Sequence, residues 1–373
     1  MRLSVDAPTA TPGSEVKISP VQLSFLLTGF LFGSSAILNP ATAARQDAWL
    51  AFLLGWAGGV LLIGIYIAIT RLNPGKTLVD ILIACFGKIL GTAFSLLYIW
   101  YFIHLAALII RNFGEYMTTM NYPKTPLLFL AITLVSVSAY SVRKGLETTG
   151  RTSEIFIPFL PLSVIFLFFF VYREFNPANF LPVLENGLKP VVNTGLIIVT
   201  FPFGQSVVFL TLFANLSDRK KLTGSVIVSV LIVGIMLLAI LARDIMALGP
   251  DILERALYAP DITSRLVTYL TIYPVISVSF LIGGGTRTAI CIYGAATSIA
   301  RIAKLDNYVP LVMPISALAV TLSIWVFETV LEMFEFAKEA WFYYSLPFQV
   351  IIPVLVLIIS FIKRSPNTQK PKR

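Results

Sequence analysis

Apolar residues in this chain gather into runs of about twenty, each long enough for a helix to cross ~30 Å of hydrocarbon, with short polar stretches between them. Ten runs are predicted to span: residues 20–39, 48–70, 89–120, 125–142, 153–172, 191–216, 221–247, 274–302, 308–327 and 341–363. The third and eighth are long enough to tilt. The short alternating segments of a β-barrel are missing. Segment 77–87 is too short to span and reads as an interfacial helix. Residues 250–271 set Asp251, Glu254, Arg255, Asp261 and Arg265 among apolar positions, which predicts a surface helical hairpin. Glu328, Glu332, Glu335 and Glu339 predict an acidic loop before the last span, either a solvated linker or a cation-attracting vestibule.

Two runs are interrupted where a lipid-facing helix could not be. The first carries Phe30-Leu31-Phe32-Gly33-Ser34-Ser35-Ala36 and the sixth Phe201-Pro202-Phe203-Gly204-Gln205-Ser206. Gly and Pro weaken a helix, and freed backbone groups find no water in hydrocarbon, so such breaks must face protein or a cavity. Phe32-Gly33 and Phe203-Gly204 superpose at an offset of 171 residues, which leaves five spans in each half. Five is odd, so the second half is inverted relative to the first. The expected fold is an all-α polytopic membrane protein with ten transmembrane helices, a five-plus-five inverted repeat with broken first and sixth helices.

Composition agrees: 57% of the 373 residues are hydrophobic and 13% charged, against about 25% charge in soluble domains. The net charge of +9 does not signal nucleic acid, because the basic residues lie in short loops and crowd one side. Arg71, Lys76, Lys88, Arg143, Lys144, Arg151, Arg219, Lys220, Lys221, Arg301 and Lys304 share that side with both ends of the chain. By the positive-inside rule both termini are cytoplasmic. Residues 1–17 are expected to be a disordered cytoplasmic tail and 366–373 a basic one. A single transmembrane domain lies between them over 18–365, with one repeat over about 20–172 and the other over about 191–363. Cys85 and Cys291 suggest neither a disulfide framework nor a metal cluster. One histidine and no phosphate-binding Gly-rich loop leave no material for a triad, a His-based metal site or nucleotide hydrolysis, so neither an enzyme nor a cofactor is expected.

The breaks have a binding chemistry of their own. Half-helix ends expose N–H groups that suit a carboxylate, from Gly33, Ser34 and Ser35. They also expose carbonyls that suit an ammonium or a cation, from Phe203, Gly204, Gln205 and Ser206. Phe32, Phe201 and Phe203 would wall the apolar part of a ligand or simply pack. Arg287 lies near the centre of the eighth span, where an Arg costs ~3 kcal/mol on insertion scales. Arg111 and Glu115 are spaced to pair on one helix face. Glu147, Arg151 and Glu154 read as a structural ion-pair cluster, or as a gate. His104 is either a buried neutral histidine or a proton relay.

Gly33-Ser34-Ser35-Ala36-Ile37-Leu38-Asn39-Pro40 resembles the first-helix motif of the amino acid–polyamine–organocation transporter superfamily. More specifically, the chain resembles the B subunits of bacterial spore germinant receptors over about residues 17–365. Lys17–Leu23, Ala44-Arg-Gln-Asp-Ala-Trp49, Gly145–Glu154, Pro202–Ser206, Tyr343–Pro353 and the basic tail carry that likeness. It departs at Gln205, where many such subunits are acidic, and at Phe280–Arg287, which is poor in carboxylates.

The resemblance implies a sensor of a small-molecule germinant, an amino acid above all, in a spore inner membrane, with an A-type membrane subunit and a C-type lipoprotein as partners. The alternative is a free-standing amino acid transporter. It further implies that Tyr98 and Tyr101 reach the central cavity and that the eighth helix, through Gly284, Thr286 and Arg287, stands where sodium-driven relatives hold an ion. Arg287 would then replace that ion, grip a ligand carboxylate, or cap carbonyls of the broken helix.

Overall fold

The computed structural model describes residues 17–364; apart from Lys17, the tails expected over 1–17 and 366–373 lie outside them. Among the described residues seven helices are long and apolar enough to cross a membrane. Three shorter ones, α1 (Pro20–Phe32), α4 (Leu127–Arg143) and α11 (Val309–Trp325), are apolar too. Together they account for the ten predicted spans. The remaining helices are α2 (Ala48–Leu72), α3 (Leu78–Met120), α5 (Leu146–Phe156) with α6 (Phe159–Val171), α7 (Leu188–Ile198), α8 (Leu222–Arg255), α9 (Ala259–Arg265) and α10 (Pro274–Ala303). A last run holds α12 (Val330–Glu335), α13 (Trp341–Leu346) and α14 (Ile352–Arg364).

α1 starts where its sequence says it should. Ser19 accepts from the Gln22 amide at 3.0 Å, the Gln22 side chain accepts from the Ser19 amide at 2.9 Å, and Pro20 opens the first turn. It stops at Gly33, whose backbone (φ −6°, ψ −111°) leaves the helix. A short 3-10 turn over Ser34–Ala36 and a second over Pro40–Asp47 then lead into α2. The sixth span stops in the same manner: α7 widens over Val199–Phe203, breaks at Phe201 (φ −135°, ψ 110°), and continues as a 3-10 stretch over Gly204–Thr211. Pro202 has no N–H to continue a helix, which is why this break falls at Phe201.

The packing carries the repeat. α1 lies on α8 and α7 lies on α2, so each broken helix rests on the second helix of the other half. α3 packs on α10, its own counterpart; α4 packs on α10 and α11 on α3. Exchanging the halves turns α1–α8 into α7–α2 and α4–α10 into α11–α3, and leaves α3–α10 as it is. Inversion shows where the broken spans meet: the Ile18 amide donates to the Asn215 carbonyl and the Ser217 amide to the Ile18 carbonyl, both at 3.0 Å. The start of the first span thus lies beside the end of the sixth.

Small residues let these helices approach, as polar and small side chains do in lipid. The Ser24 hydroxyl donates to the Ser225 carbonyl, and the Ser229 hydroxyl donates to the Ser24 carbonyl. Gly55, Gly58 and Gly59 of α2 take in Ile198, Val199 and Phe203 of the sixth span.

On the face that carries Ile18 and Lys363, residues 78–86 form the short helix expected over 77–87 and turn into the third span at Gly87 (φ 80°). Arg301 donates to Asp80 at 2.8 Å, and the Lys363 ammonium donates to the carbonyls of Ala84 and Cys85. On the opposite face α8 bends at Gly249 (φ 72°) and, with α9, makes the expected hairpin. The Arg111–Glu115 and Arg151–Glu147 pairs form at 2.7 Å.

One expectation fails. The acidic stretch over 328–339 is not a loop but helical from Val330 onward, continuous with the last span. Its glutamates alternate with Leu331, Met333, Phe334 and Phe336, and three of these pack against the core, so apolar spacing overrode charge.

α1 and α10 touch through backbone. A Cβ built on Gly283 would lie 2.6 Å from the Gly33 Cα, whereas one on Gly64 meets nothing within 4 Å. Gly283→Val is therefore expected to cost about 1–3 kcal/mol and Gly64→Ala to be neutral or slightly stabilising, as read by thermal unfolding of the purified protein in detergent.

Candidate functional site

A cavity of about 420 Å³ runs from the hairpin face inward to the two breaks. Its outer wall comes from residues 254–260 of the hairpin, 37–43 after the first break, and 327–341 of the last helical run. Its inner end is formed by Ser34, Phe201, Gln205 and Arg287. Arg287 sits about 20 Å along α10, near mid-depth. Four expected site residues from three separate spans thus meet at one place.

The Arg287 guanidinium is fully buried. Nη2 donates to the Gln205 Oε1, and Nη1 to the Ser35 hydroxyl at 3.4 Å. The rings of Phe30 and Phe201 lie 5.1 and 5.4 Å away, within cation–π range. Its stem passes Gly33, where an added Cβ would come 2.3 Å from Arg287 Cδ. Among the described residues no carboxylate pairs with it. Its Nε is unpartnered, and so is the buried Ser34 hydroxyl. The inner end of the cavity therefore holds a cation and two buried donors with no partner, an arrangement suited to an anion.

The remaining candidates lie around this point without lining the cavity. Gly33 and Gly283 form the α1–α10 contact, Gly284 faces the Phe280 ring, and the Thr286 hydroxyl donates to the Ile282 carbonyl. Phe32 is buried in the core, and Phe203 packs on Gly59. The hydroxyls of Tyr98 and Tyr101 turn to the last span: Tyr98 donates to the Phe348 carbonyl at 2.6 Å, and the Gln349 amide donates to the Tyr101 oxygen at 2.6 Å. At the sixth-span break the Phe203 carbonyl accepts from the Ser206 hydroxyl at 2.6 Å, and the Tyr66 hydroxyl is shared between the Gln349 carbonyl at 2.7 Å and the Gly204 carbonyl at 3.1 Å. His104 stacks on Trp100 and meets Tyr344 edge-on, away from the cavity.

Arg243, Asp244 and Gln349 join the site only in the structure, and Arg111 and the Ala44–Trp49 motif take on partners there that the sequence does not show. Arg243 donates twice to Asp244, at 2.7 and 2.8 Å, with both nearly fully buried and Asp244 on the cavity wall. The signal was an Arg-Asp dipeptide inside the apolar run of the seventh span. Gln349 approaches Gly204 so closely that a Cβ there would lie 2.1 Å from its Oε1. Arg111 donates to the carbonyls of Ser323, Ile324 and Phe327, closing the end of α11. Arg45 reaches Asp251 and Glu254, Gln46 donates to Glu185 at 2.8 Å, and Asp47 accepts from the Leu184 amide at 2.9 Å. The Ala44–Trp49 motif thus ties the segment after the first break to the hairpin and to the loop before the sixth span.

A family model for spore germination proteins matches residues 17–329. Spore germination protein KB of Bacillus subtilis (strain 168) is 30% identical over 358 residues, covering 94% of this chain and 96% of that protein. The chain belongs to the spore germination protein family.

Among solved structures, MhsT in complex with L-phenylalanine aligns with a TM-score of 0.64 at 15% identity, covering 94% of this chain and 99% of that one. A sodium-coupled sialic acid symporter in a substrate-bound, outward-open state aligns at 0.68 with 12% identity, covering 94% and 90%. These likenesses establish the inverted-repeat transporter fold. With its apolar helices, the family member is an integral membrane protein of the germinant-receptor and transporter-like kind.

Gly204 and Gln349 make a direct test of how the last span meets the sixth-span break. Gly204→Ala is expected to destabilise by about 1–3 kcal/mol. Combining it with Gln349→Ala should restore part of that loss, a coupling of roughly 0.5–3 kcal/mol measurable by a double-mutant cycle on thermal stability.

Proposed function

We propose that this protein is the ligand-sensing membrane subunit of a spore germinant receptor and that its ligand, an amino acid, occupies the cavity between the broken helices. The observation that carries the reading is the buried, carboxylate-free Arg287 at the inner end of a 420 Å³ cavity. The ligand carboxylate meets Arg287 and the Ser34 hydroxyl. Gln205 and Ser35 orient the guanidinium, Phe201 flanks it, and the backbone of Gly33 and Gly204 lets the spans close around it. Phe32, Phe203, Ser206, Gly284 and Thr286 hold the two breaks in register, and Tyr98 and Tyr101 brace them against the last span.

In this reading the face bearing Ile18 and Lys363 is cytoplasmic, the hairpin face points outward, the membrane is the spore inner membrane, and an A-type membrane subunit and a C-type lipoprotein complete the receptor. Residues 18–365 act as one transmembrane domain. The second reading, a free-standing amino acid transporter, is favoured by the fold shared with solute symporters. Counterflow of labelled amino acid by the purified protein in liposomes would establish transport and displace the sensor reading.

A thermal-shift screen of the common amino acids tests binding. A ligand at ~100 times its Kd stabilises the folded state by ~2.7 kcal/mol, and at least one amino acid is expected to do so; no shift with any of them would remove the amino acid reading. Arg287→Met separates ligand binding from scaffolding. Replacing a buried charge with a packed apolar side chain is often neutral or stabilising, so the variant is expected to melt within a few degrees of wild type and to lose the ligand-induced shift. A variant that fails to fold while Arg287→Lys folds and binds normally would assign the charge to the scaffold.

A further inference from the structure

The walls between Arg287 and the hairpin are mostly apolar, with Ile37, Leu38, Leu105, Leu108, Ile109 and Ile197; Asn39, Thr42 and Asn112 are the uncharged polar residues among them. A ligand held here by a carboxylate therefore places its body against hydrocarbon. For its amino group the cavity offers chiefly the neutral Asn112 amide, since the Asn39 side-chain oxygen already accepts from the Ala41 amide at 3.0 Å.

The carboxylates along the cavity already have cations or water. Asp244 is held by Arg243 through two donors, Glu254 lies 3.6 Å from Arg45, and Glu335 is exposed. Several carbonyls around the breaks are bonded as well. At the sixth span, Ile197 accepts from the Thr200 hydroxyl at 2.9 Å, Val199 from the Gly204 amide, Phe203 from Ser206 and Gly204 from Tyr66. At the first, Gly29 accepts from the Gly33 amide at 3.0 Å and Ser34 from the Leu38 amide at 2.8 Å. A carbonyl has a second lone pair, so these bonds reduce rather than abolish what an ammonium can gain. Against that gain stands repulsion, because an α-ammonium on a ligand gripped by Arg287 lies close to a like charge in a buried setting.

We infer that the site selects monocarboxylates with an apolar body and does not require the ligand's amino group. This rests on the reading that the cavity binds the ligand, and it deepens that reading: an amino acid binds here as a carboxylate that carries an ammonium along. The desamino acid should bind as well as its parent or better, and the amine that lacks the carboxylate should not bind.

Three probes share one isobutyl body: L-leucine, 4-methylpentanoate and 3-methylbutylamine. Isothermal titration of each into the purified full-length protein at neutral pH compares them directly. The acid is expected to bind within tenfold of leucine or more tightly, with no saturable binding of the amine. Arg287→Gln should weaken both carboxylates by more than tenfold, that is ~1.4 kcal/mol or more.

Leucine binding with the acid over a hundredfold weaker would show that the ammonium is recognised, and would overturn this inference while leaving the receptor reading intact. Amine binding equal to leucine would overturn it too, since the carboxylate would then not be read. If none of the three binds but a small polar amino acid does, the apolar-body selection is wrong. If no amino acid binds at all, the ligand site itself is misassigned and the inference falls with it.

Discussion

A helix cannot be interrupted in hydrocarbon unless the groups it releases find partners in the protein. Everything central in this molecule follows from meeting that demand twice. At the first break the chain leaves the helix at Gly33, where only the absence of a side chain lets the Gly283 backbone and the Arg287 stem lie alongside. At the second, the hydroxyls of Thr200, Ser206 and Tyr66 bond the carbonyls of Ile197, Phe203 and Gly204 around the break. Ser and Thr in these spans are thus part of the backbone's hydrogen bonding. The same requirement draws α10, α2 and the last helical run inward, since each supplies a side chain or a glycine to the breaks.

Arg287 brings a cost of the opposite kind. A guanidinium taken from water needs compensation, and here it receives one amide oxygen from Gln205, one distant hydroxyl from Ser35 and two aromatic faces. That is partial compensation, with Nε unpartnered. A carboxylate at Gln205 would have formed a closed ion pair, and the cation would then offer less to an incoming anion. The neutral amide orients the guanidinium without neutralising it. A site left short of negative charge gains most from a ligand that supplies it, and so the neutral amide of Gln205 keeps the cavity's inner end receptive.

The ten spans, the hairpin, the interfacial helix and the inverted repeat were legible because each rests on hydropathy length or on Gly and Pro, signals written in single residues. The two breaks were legible for the same reason. The cavity's outer half was not. Along the last helical run the glutamates predict an acidic loop, because the apolar residues between them show their role only once the fold supplies a core for them to face. Tyr98 and Tyr101 could be placed on the right helix, but which neighbour their hydroxyls would meet depended on the rotation of the third span against Phe348 and Gln349, some 250 residues away. The Arg243-Asp244 dipeptide stands out inside the seventh apolar run, but its burial does not, because so near the end of a span such a pair is commonly solvated until the fold packs around it.

The two broken spans share more than a site. The sixth span runs from Gln205, which touches Arg287, to Leu216, beside which Ile18 begins the first span; the first span returns from there to Gly33 and Ser34 at the cavity. A ligand that contacts both Arg287 and Ser34 therefore acts on a closed loop of structure whose far corner is the Ile18–Leu216 contact on the face that carries Lys363. A ligand shifts such an equilibrium only by the difference in its contacts between two states. Here the Ser34 contact falls on the 3-10 turn after Gly33, and Arg287, itself in α10, reaches the 3-10 stretch after Gly204 through Gln205. On the proposed function, the two breaks that would receive the ligand are also where the chain departs from regular α-helix, whereas α2, α3, α8 and α10 pack on one another around them.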